Sequence, residues 1–315
     1  MSNIKSYEKH KEAWTQDLGD TARQEVHKLW FRTDTADYWR HARMYEAVGA
    51  FTHRPELSWV TIGDGRFGLD SIRLQRLGVR SVLPTDIGGA LLEASVQQGL
   101  IKDYRVENAE SLSFSDDAFD VVFCKESYHH FPRPFLALCE MVRVARYAVL
   151  LVEPRDYVID RPQFKALGPK GLVRGLWNWM KNRLKIPSKP LPLAKRYQLG
   201  DAPHYEDCGN YMYTISSREM EKFALGLNLP TLALKGLNDC FLPEGGTAPA
   251  TEDSPIFMQM KSEIAKADQL AESGRAGTSM LMVILFNQAP DAVAREFLVQ
   301  RGWLVKDLPR NPHLT

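Results

Sequence analysis

Trp59-Val60-Thr61-Ile62-Gly63-Asp64-Gly65-Arg66-Phe67-Gly68 carries the reading of the whole chain. Its first four residues form a short apolar run that predicts a buried strand. The glycines then break it and let a ligand approach the backbone. Phe67–Leu77 follows as a predicted helix, and a helix N-terminus offers unpaired N–H groups to whatever sits in the loop. Working outward, Ser81–Thr85 predicts a second strand and Ala90–Gln98 a second helix. Tyr104–Val106, Phe119–Cys124 and Tyr147–Val152 predict strands three to five. Between the last two, Phe135, Leu138, Cys139 and Val142 recur at helical spacing. Pro230–Leu237 and Met280–Phe286 predict two more strands. Helices are expected from a Ser216/Glu219 capping box, over Met258–Glu272 and over Asp291–Gln300. Apolar strands alternating with helices imply a parallel sheet covered on both faces.

Glycine loop and carboxylate point to a nucleoside cofactor. The second strand runs into Asp86, 23 residues after Gly63. A carboxylate there accepts hydrogen bonds from ribose hydroxyls, and both NAD and S-adenosylmethionine carry such a ribose. The downstream series separates the two. It consists of Asn108-Ala109-Glu110-Ser111-Leu112, Phe119-Asp120-Val121-Val122, His129-His130-Phe131, Glu140-Met141-Val142-Arg143-Val144 and Glu153-Pro154. From Trp59 to Pro154 the chain resembles the class I methyltransferases that use S-adenosylmethionine, in particular the methyltransferase type 11 group. With its long basic insertion it is similar to members associated with bacterial surface-polysaccharide synthesis.

The resemblance implies an α/β, Rossmann-like, seven-stranded and mostly parallel sheet with helices on both faces. It implies a cofactor site drawn from Thr61, Gly63, Asp64, Gly65, Arg66, Phe67, Asp86, Ile87, Asn108, Ala109, Glu110 and Lys125. The chain departs from the family pattern at three points. Thr61 stands where an acidic residue is usual, the third glycine has slipped to Gly68, and Asn108 replaces an Asp. Arg66 suits a phosphate better than a sulfonium, which keeps an NAD-dependent enzyme as an alternative.

Residues 1–56 are expected to form an N-terminal helical cap and 57–154 the cofactor-binding core. Residues 155–213 are expected to form an insertion or substrate lid, and 214–315 the rest of the sheet. Between Arg155 and Gly200 there are eleven Lys and Arg against Asp156 and Asp160, a net +9 in a chain whose total is +1. Leu172, Leu176, Trp179, Met180 and Leu184 share one helical face there, and Arg174, Lys181 and Lys185 another. A basic amphipathic helix over 171–186 binds an anionic ligand or a membrane surface.

For the chemistry, His129 and His130 are candidate bases by ordinary pKa, with Glu126 as the next choice. Tyr38, Arg43, Tyr128, Arg155, His204, Tyr205 and Tyr211 are candidate substrate contacts. No carboxylate cluster calls for a metal. The near-neutral total charge and the lack of an RNA-binding module argue against a nucleic-acid partner. The first thirty residues are dense in charge, with no apolar leader, and the longest apolar run, Met280–Phe286, is too short for a span. A cytoplasmic enzyme is expected, peripheral at the inner membrane surface if the basic helix binds lipid. The expected reaction is O-methylation of an anionic or lipid-linked sugar, glycan or similar small polar acceptor. Methylation of a quinone or lipid carbon and a non-catalytic partner that binds S-adenosylmethionine remain as further alternatives.

Overall fold

The computed structural model describes residues 5–19, 21–156 and 212–314. Among the described residues eight strands form one sheet in the order β3-β2-β1-β4-β5-β7-β6-β8. These are β1 (Ser58–Ile62), β2 (Ser81–Asp86), β3 (Arg105–Val106), β4 (Phe119–Lys125), β5 (Ala145–Pro154), β6 (Thr231–Leu237), β7 (Met280–Phe286) and β8 (Leu304–Asp307). The first five are mutually parallel. β7 enters antiparallel between β5 and β6, and β8 closes the far edge antiparallel to β6. The sheet thus has one strand more than the seven expected. Leu304-Val305-Lys306-Asp307 has no apolar run because it is an edge strand with Leu304 60% exposed.

Alternation along the strands divides the core into two layers. Trp59, Val121, Phe123, Leu150, Met282 and Ile284 face one side of the sheet. Val60, Val122, Leu151, Val283 and Leu285 face the other. The first layer is covered by the 3₁₀ segment Arg43–Ala50 and by the helix Ala292–Gln300. The second is covered by two helices, Pro134–Val144 and Ser217–Gly226. The capping box at Ser216 and Glu219 is formed.

Three helices precede the sheet: α1 (Lys5–Gly19), α2 (Thr21–Trp30) and α3 (Ala36–Ala42). After β1, helix α4 spans Leu69–Arg76. It starts two residues later than expected because Phe67 and Gly68 both take left-handed backbone, at φ 59° and 68°. Asp64 fixes that start. Its buried carboxyl accepts from Asp70 N at 3.0 Å, Ser71 N at 2.9 Å, Ser71 Oγ at 2.8 Å and Thr61 Oγ1 at 2.9 Å. Burial, with the charge of Asp70 beside it, nevertheless pushes the Asp64 carboxyl up to about 7.

The strand order turns back at β1, which has β2 on one side and β4 on the other. A crevice opens at such a switch point, outside the carboxyl ends of the strands. Past β5 the chain leaves at Asp156, whose N–H donates to Ile215 O, while Ile215 N donates to Pro154 O. The two flanks of 157–211 therefore lie side by side at this same edge. The expected lid, the basic helix over 171–186, His204, Tyr205 and Tyr211 lie outside the described residues.

Two measurements test this packing. Leu151→Ala, at the centre of the sheet, should lower stability by about 2–5 kcal/mol in urea unfolding, whereas Leu304→Ala on β8 should cost less than about 0.5 kcal/mol. The second measurement concerns pH. The native state keeps the Asp64 proton up to about 7 and an unfolded Asp releases it near 3.8, so this group makes stability fall as pH rises between those values. Asp64→Asn should remove that part of the slope, and an unchanged slope would mean that Asp64 is ionised throughout.

Candidate active site

At the switch point lies a cavity of about 420 Å³, a size that suits a small molecule. Four segments build its floor: the loop after β1, the end of β2, residues 107–110 after β3, and the end of β4. The helices α1, α2 and α3 form the wall opposite. Gly63 takes φ +78°, and a side chain there would collide with Ser127, whose Oγ donates to Gly63 O at 2.8 Å. The loops after β1 and β4 are thereby locked together.

Of the expected cofactor residues, Gly63, Asp64, Arg66, Asp86, Ile87, Asn108, Ala109, Glu110 and Lys125 border the cavity. Thr61, Gly65 and Phe67 do not. Thr61 is buried with its hydroxyl on Asp64, and Phe67 turns away against His27 and Phe31. Asp64 borders the space, but its carboxyl points into α4. Asp86 accepts from Gly88 N at 2.8 Å through Oδ1. Asn108 Oδ1 accepts from Glu110 N. The Glu110 carboxyl receives Tyr7 Oη at 2.6 Å and Arg133 Nε at 2.7 Å, which ties α1 to the cavity rim.

This donor set discriminates between the two nucleoside cofactors. A dinucleotide places its pyrophosphate on the N–H groups at a helix N-terminus. Here Asp70 N and Ser71 N already donate to Asp64. The floor instead carries Asp86 at the end of β2, placed to meet ribose hydroxyls, with Asn108 and Ala109 after β3 beside it. S-adenosylmethionine fits the residues present.

Toward β4 the wall changes character. Lys125 is buried, with Nζ 2.7 Å from Glu126 and 3.7 Å from Asp70. Burial alone would lower its pKa, but Asp70 and Glu126 outweigh that and hold it above the ordinary lysine value. Burial likewise pushes the Glu126 carboxyl up, and Lys125, His41 and Arg40 outweigh it, holding the group well below the usual carboxylate range. From α3, Arg40 pairs with Asp37 at 2.9 Å and with Asp239, while His41 Nε2 lies 3.7 Å from Glu126. Burial pushes His41 down, as do Lys125 and Arg40, against the pull of Asp37.

His129 and His130 both border the cavity, with ring centroids 3.9 Å apart. His129 Nδ1 donates to Glu153 Oε2 at 2.6 Å. Glu153 is fully buried, and its other oxygen accepts from Ser127 N and Tyr128 N, each at 3.0 Å. A carboxyl on Nδ1 fixes the ring and leaves Nε2 as the basic nitrogen. The sequence reading names Glu153 only as the end of the fifth strand's series and gives it no part in the site. The available signal was a lone carboxylate ending the apolar run Ala148–Val152.

Among the expected substrate contacts, Tyr38 lines the cavity. Arg43 does not: its guanidinium donates to Asn238 O and lies over Trp39. Tyr128 is buried in the core below the site, and Arg155 reaches Thr278 and Ser217. The α1–α3 contributions of Tyr7, His10, Trp30, Asp37, Arg40 and His41 were not foreseen. Among the described residues no group of three or more His, Cys, Asp or Glu could hold a metal ion, and no helix is long and apolar enough to cross a membrane.

Comparison with known proteins agrees with the geometry. Residues 60–152 match the model of a methyltransferase domain. No curated protein sequence matches the chain. Among solved structures, the chain is similar to the [4+2]-cyclase SpnF, at 12% identity and TM-score 0.44, covering 79% of this chain and 81% of that one. It is also similar to a putative sarcosine dimethylglycine methyltransferase from Galdieria sulphuraria, at 12% and 0.42, covering 80% and 85%. A third is magnesium protoporphyrin IX methyltransferase from Synechocystis PCC 6803 with bound S-adenosylmethionine, at 11% and 0.43, covering 73% and 89%. The matched segment runs from β1 into β5 and holds the glycine loop, Asp86, Asn108 and His129, so that over these residues, under a third of the chain, it is similar to a methyltransferase domain.

Proposed function

We propose that this enzyme methylates a hydroxyl of a small polar acceptor, an anionic or lipid-linked sugar or glycan. The observation that carries the reading is the His129–Glu153 pair at the ends of β4 and β5, beside the loop that carries Gly63. A hydroxyl is a poor nucleophile until its proton leaves, so a transfer to oxygen needs a positioned base. His129 supplies one with its tautomer set, and Glu153 acts as the positioning residue. Glu126 is less suited, because its ion pair with Lys125 lowers the carboxylate's affinity for a proton. When bound, S-adenosylmethionine supplies an electrophilic methyl carbon on a sulfonium. The chain's part is to align the acceptor oxygen with that carbon, to take the proton and to exclude water. Tyr38 and the exposed ring of Phe241 at the cavity mouth support an acceptor with a flat, partly apolar face, as a sugar ring has. The basic segment 171–186 supports an anionic or membrane-borne acceptor on sequence grounds.

Calorimetry with S-adenosylmethionine and with NADH should give heat for the first alone. Asp86→Ala should weaken that binding by about 1–3 kcal/mol. Binding of NADH in its place would remove the basis of the reading.

The base is tested by transfer of labelled methyl to a panel of neutral sugars, sugar acids and sugar phosphates. His129→Ala should lower kcat by roughly 10²–10⁴ with cofactor affinity intact, and should abolish the acidic limb of the pH–rate profile. Glu153→Gln should lower kcat less and shift that limb. Should His129→Ala, His130→Ala and the double variant all keep near-normal turnover, the proton goes elsewhere.

A further inference from the structure

Arg73, on the second turn of α4, lines the same cavity. Its guanidinium carbon lies 5.4 Å from the ring centroid of Tyr38 and 5.6 Å from that of Tyr45. Tyr45 is itself immobilised, stacked on Phe123 and donating its hydroxyl to Asp70. The guanidinium is therefore held by two rings. Its hydrogen bond to Tyr45 is a long one, from Nη1 to Oη at 3.5 Å.

An arginine carries five N–H donors and cannot shed its charge. Among the described residues no carboxylate oxygen lies within 4.0 Å of the Arg73 nitrogens, since the nearby Asp70 is turned to Tyr45 and Lys125. The other cations of this wall are compensated, Arg40 by Asp37 and Asp239, Lys125 by Glu126 and Asp70. None of the Arg73 nitrogens is among the sealed polar atoms that have no partner, so its uncommitted donors open on the cavity. A half-buried cation with spare, oriented donors is a receptor for an oxyanion, which it grips through two parallel N–H bonds.

We propose that Arg73 binds an anionic group of the methyl acceptor, a carboxylate or a phosphate, and so determines which acceptors are accepted. The proposal rests on reading the cavity as a methyl-transfer site. The position favours acceptor over cofactor. Tyr38 belongs to the wall that also carries His41, which reaches Glu126 at the end of β4, and Tyr45 lies just behind it on the segment Arg43–Ala50. Asp86 and Asn108, at the ends of β2 and β3, lie on the other side of β1. This anion site stands on described residues alone and is independent of the basic segment after β5. Arg66, over Trp30 in the glycine loop, is left for the cofactor side.

The test uses the full chain saturated with S-adenosylhomocysteine, titrated with glucuronate, glucose 1-phosphate and glucose. One or both anions should bind at least tenfold more tightly than glucose, and which of them does identifies the carboxylate or the phosphate. Arg73→Gln should reduce the preferred anion to the level of glucose while changing S-adenosylhomocysteine affinity less than twofold. Arg73→Lys, which keeps the charge and loses the fork, should retain part of the preference. It also serves as the readout if the glutamine variant does not fold. Equal binding of all three probes by the wild type overturns the proposal, as does an anion preference that survives in both variants. A tenfold loss of S-adenosylhomocysteine affinity in Arg73→Gln with the preference intact also overturns it, because the guanidinium then holds the cofactor. A wild type that takes no S-adenosylhomocysteine would fail the methyl-transfer reading instead, and the three probes would then be compared on the bare protein.

Discussion

The hydrogen bonds from the start of α4 to the Asp64 carboxyl are the constraint on which the site depends. A helix that begins at the end of a strand exposes N–H groups that something must satisfy. In this chain Asp64 does so from within the loop, with Thr61 and Ser71 completing its shell. Three consequences follow. The loop is drawn down toward the sheet, and its last two residues must turn through left-handed backbone to reach the helix. The helix end no longer attracts a phosphate. And the space above the loop is left to a ligand that is held through its hydroxyls and its cationic centre.

The wall that faces this floor is built on a different principle. Asp37, Arg40, His41, Asp70, Lys125, Glu126 and Asp239 come from four parts of the chain and alternate in sign. Taking so many charges out of water is costly, and the mutual pairing offsets it only where the geometry is fixed. What such a lattice gives in return is orientation. Its dipoles are in place before any ligand arrives and need no rearrangement as charge moves during a reaction. Glu126 shows how tightly the lattice is drawn, since it is a non-glycine residue held at φ 50° between Lys125 and the Ser127 turn.

Much of the fold was legible in the sequence, and the reason is the sheet. Strands buried on both faces must be apolar throughout, so β4, β5 and β7 stand out as runs. β8 did not, because one of its faces is wet and its outer edge has no neighbour. The floor of the site was legible for a related reason, since glycine loop, Asp86 and Asn108 follow strand ends at regular spacing. Some expected residues do not border the cavity. Thr61 alternates with Ile62 along β1 and so points to the other side, whereas Phe67, in left-handed backbone, and Tyr128, in a 3₁₀ turn, pack into the interior. The wall was not legible. Tyr7, His41 and Arg73 come to line one cavity with His129 only through tertiary packing, and nothing local marks them. Glu153 lay in view, but its meaning depends on a partner that is 24 positions away in the chain.

The junction after β5 has a consequence of another kind. The chain departs at Asp156 and is back in register at Ile215, the two points joined by backbone hydrogen bonds. For the core, this is a closed gate. Whatever length of polypeptide lies beyond it, the sheet sees the same two strands of chain at the same separation. Lengthening a loop whose ends are already fixed costs little, about 0.6 kcal/mol for each doubling. The segment can therefore diverge in size and composition without disturbing the machinery that holds the cofactor.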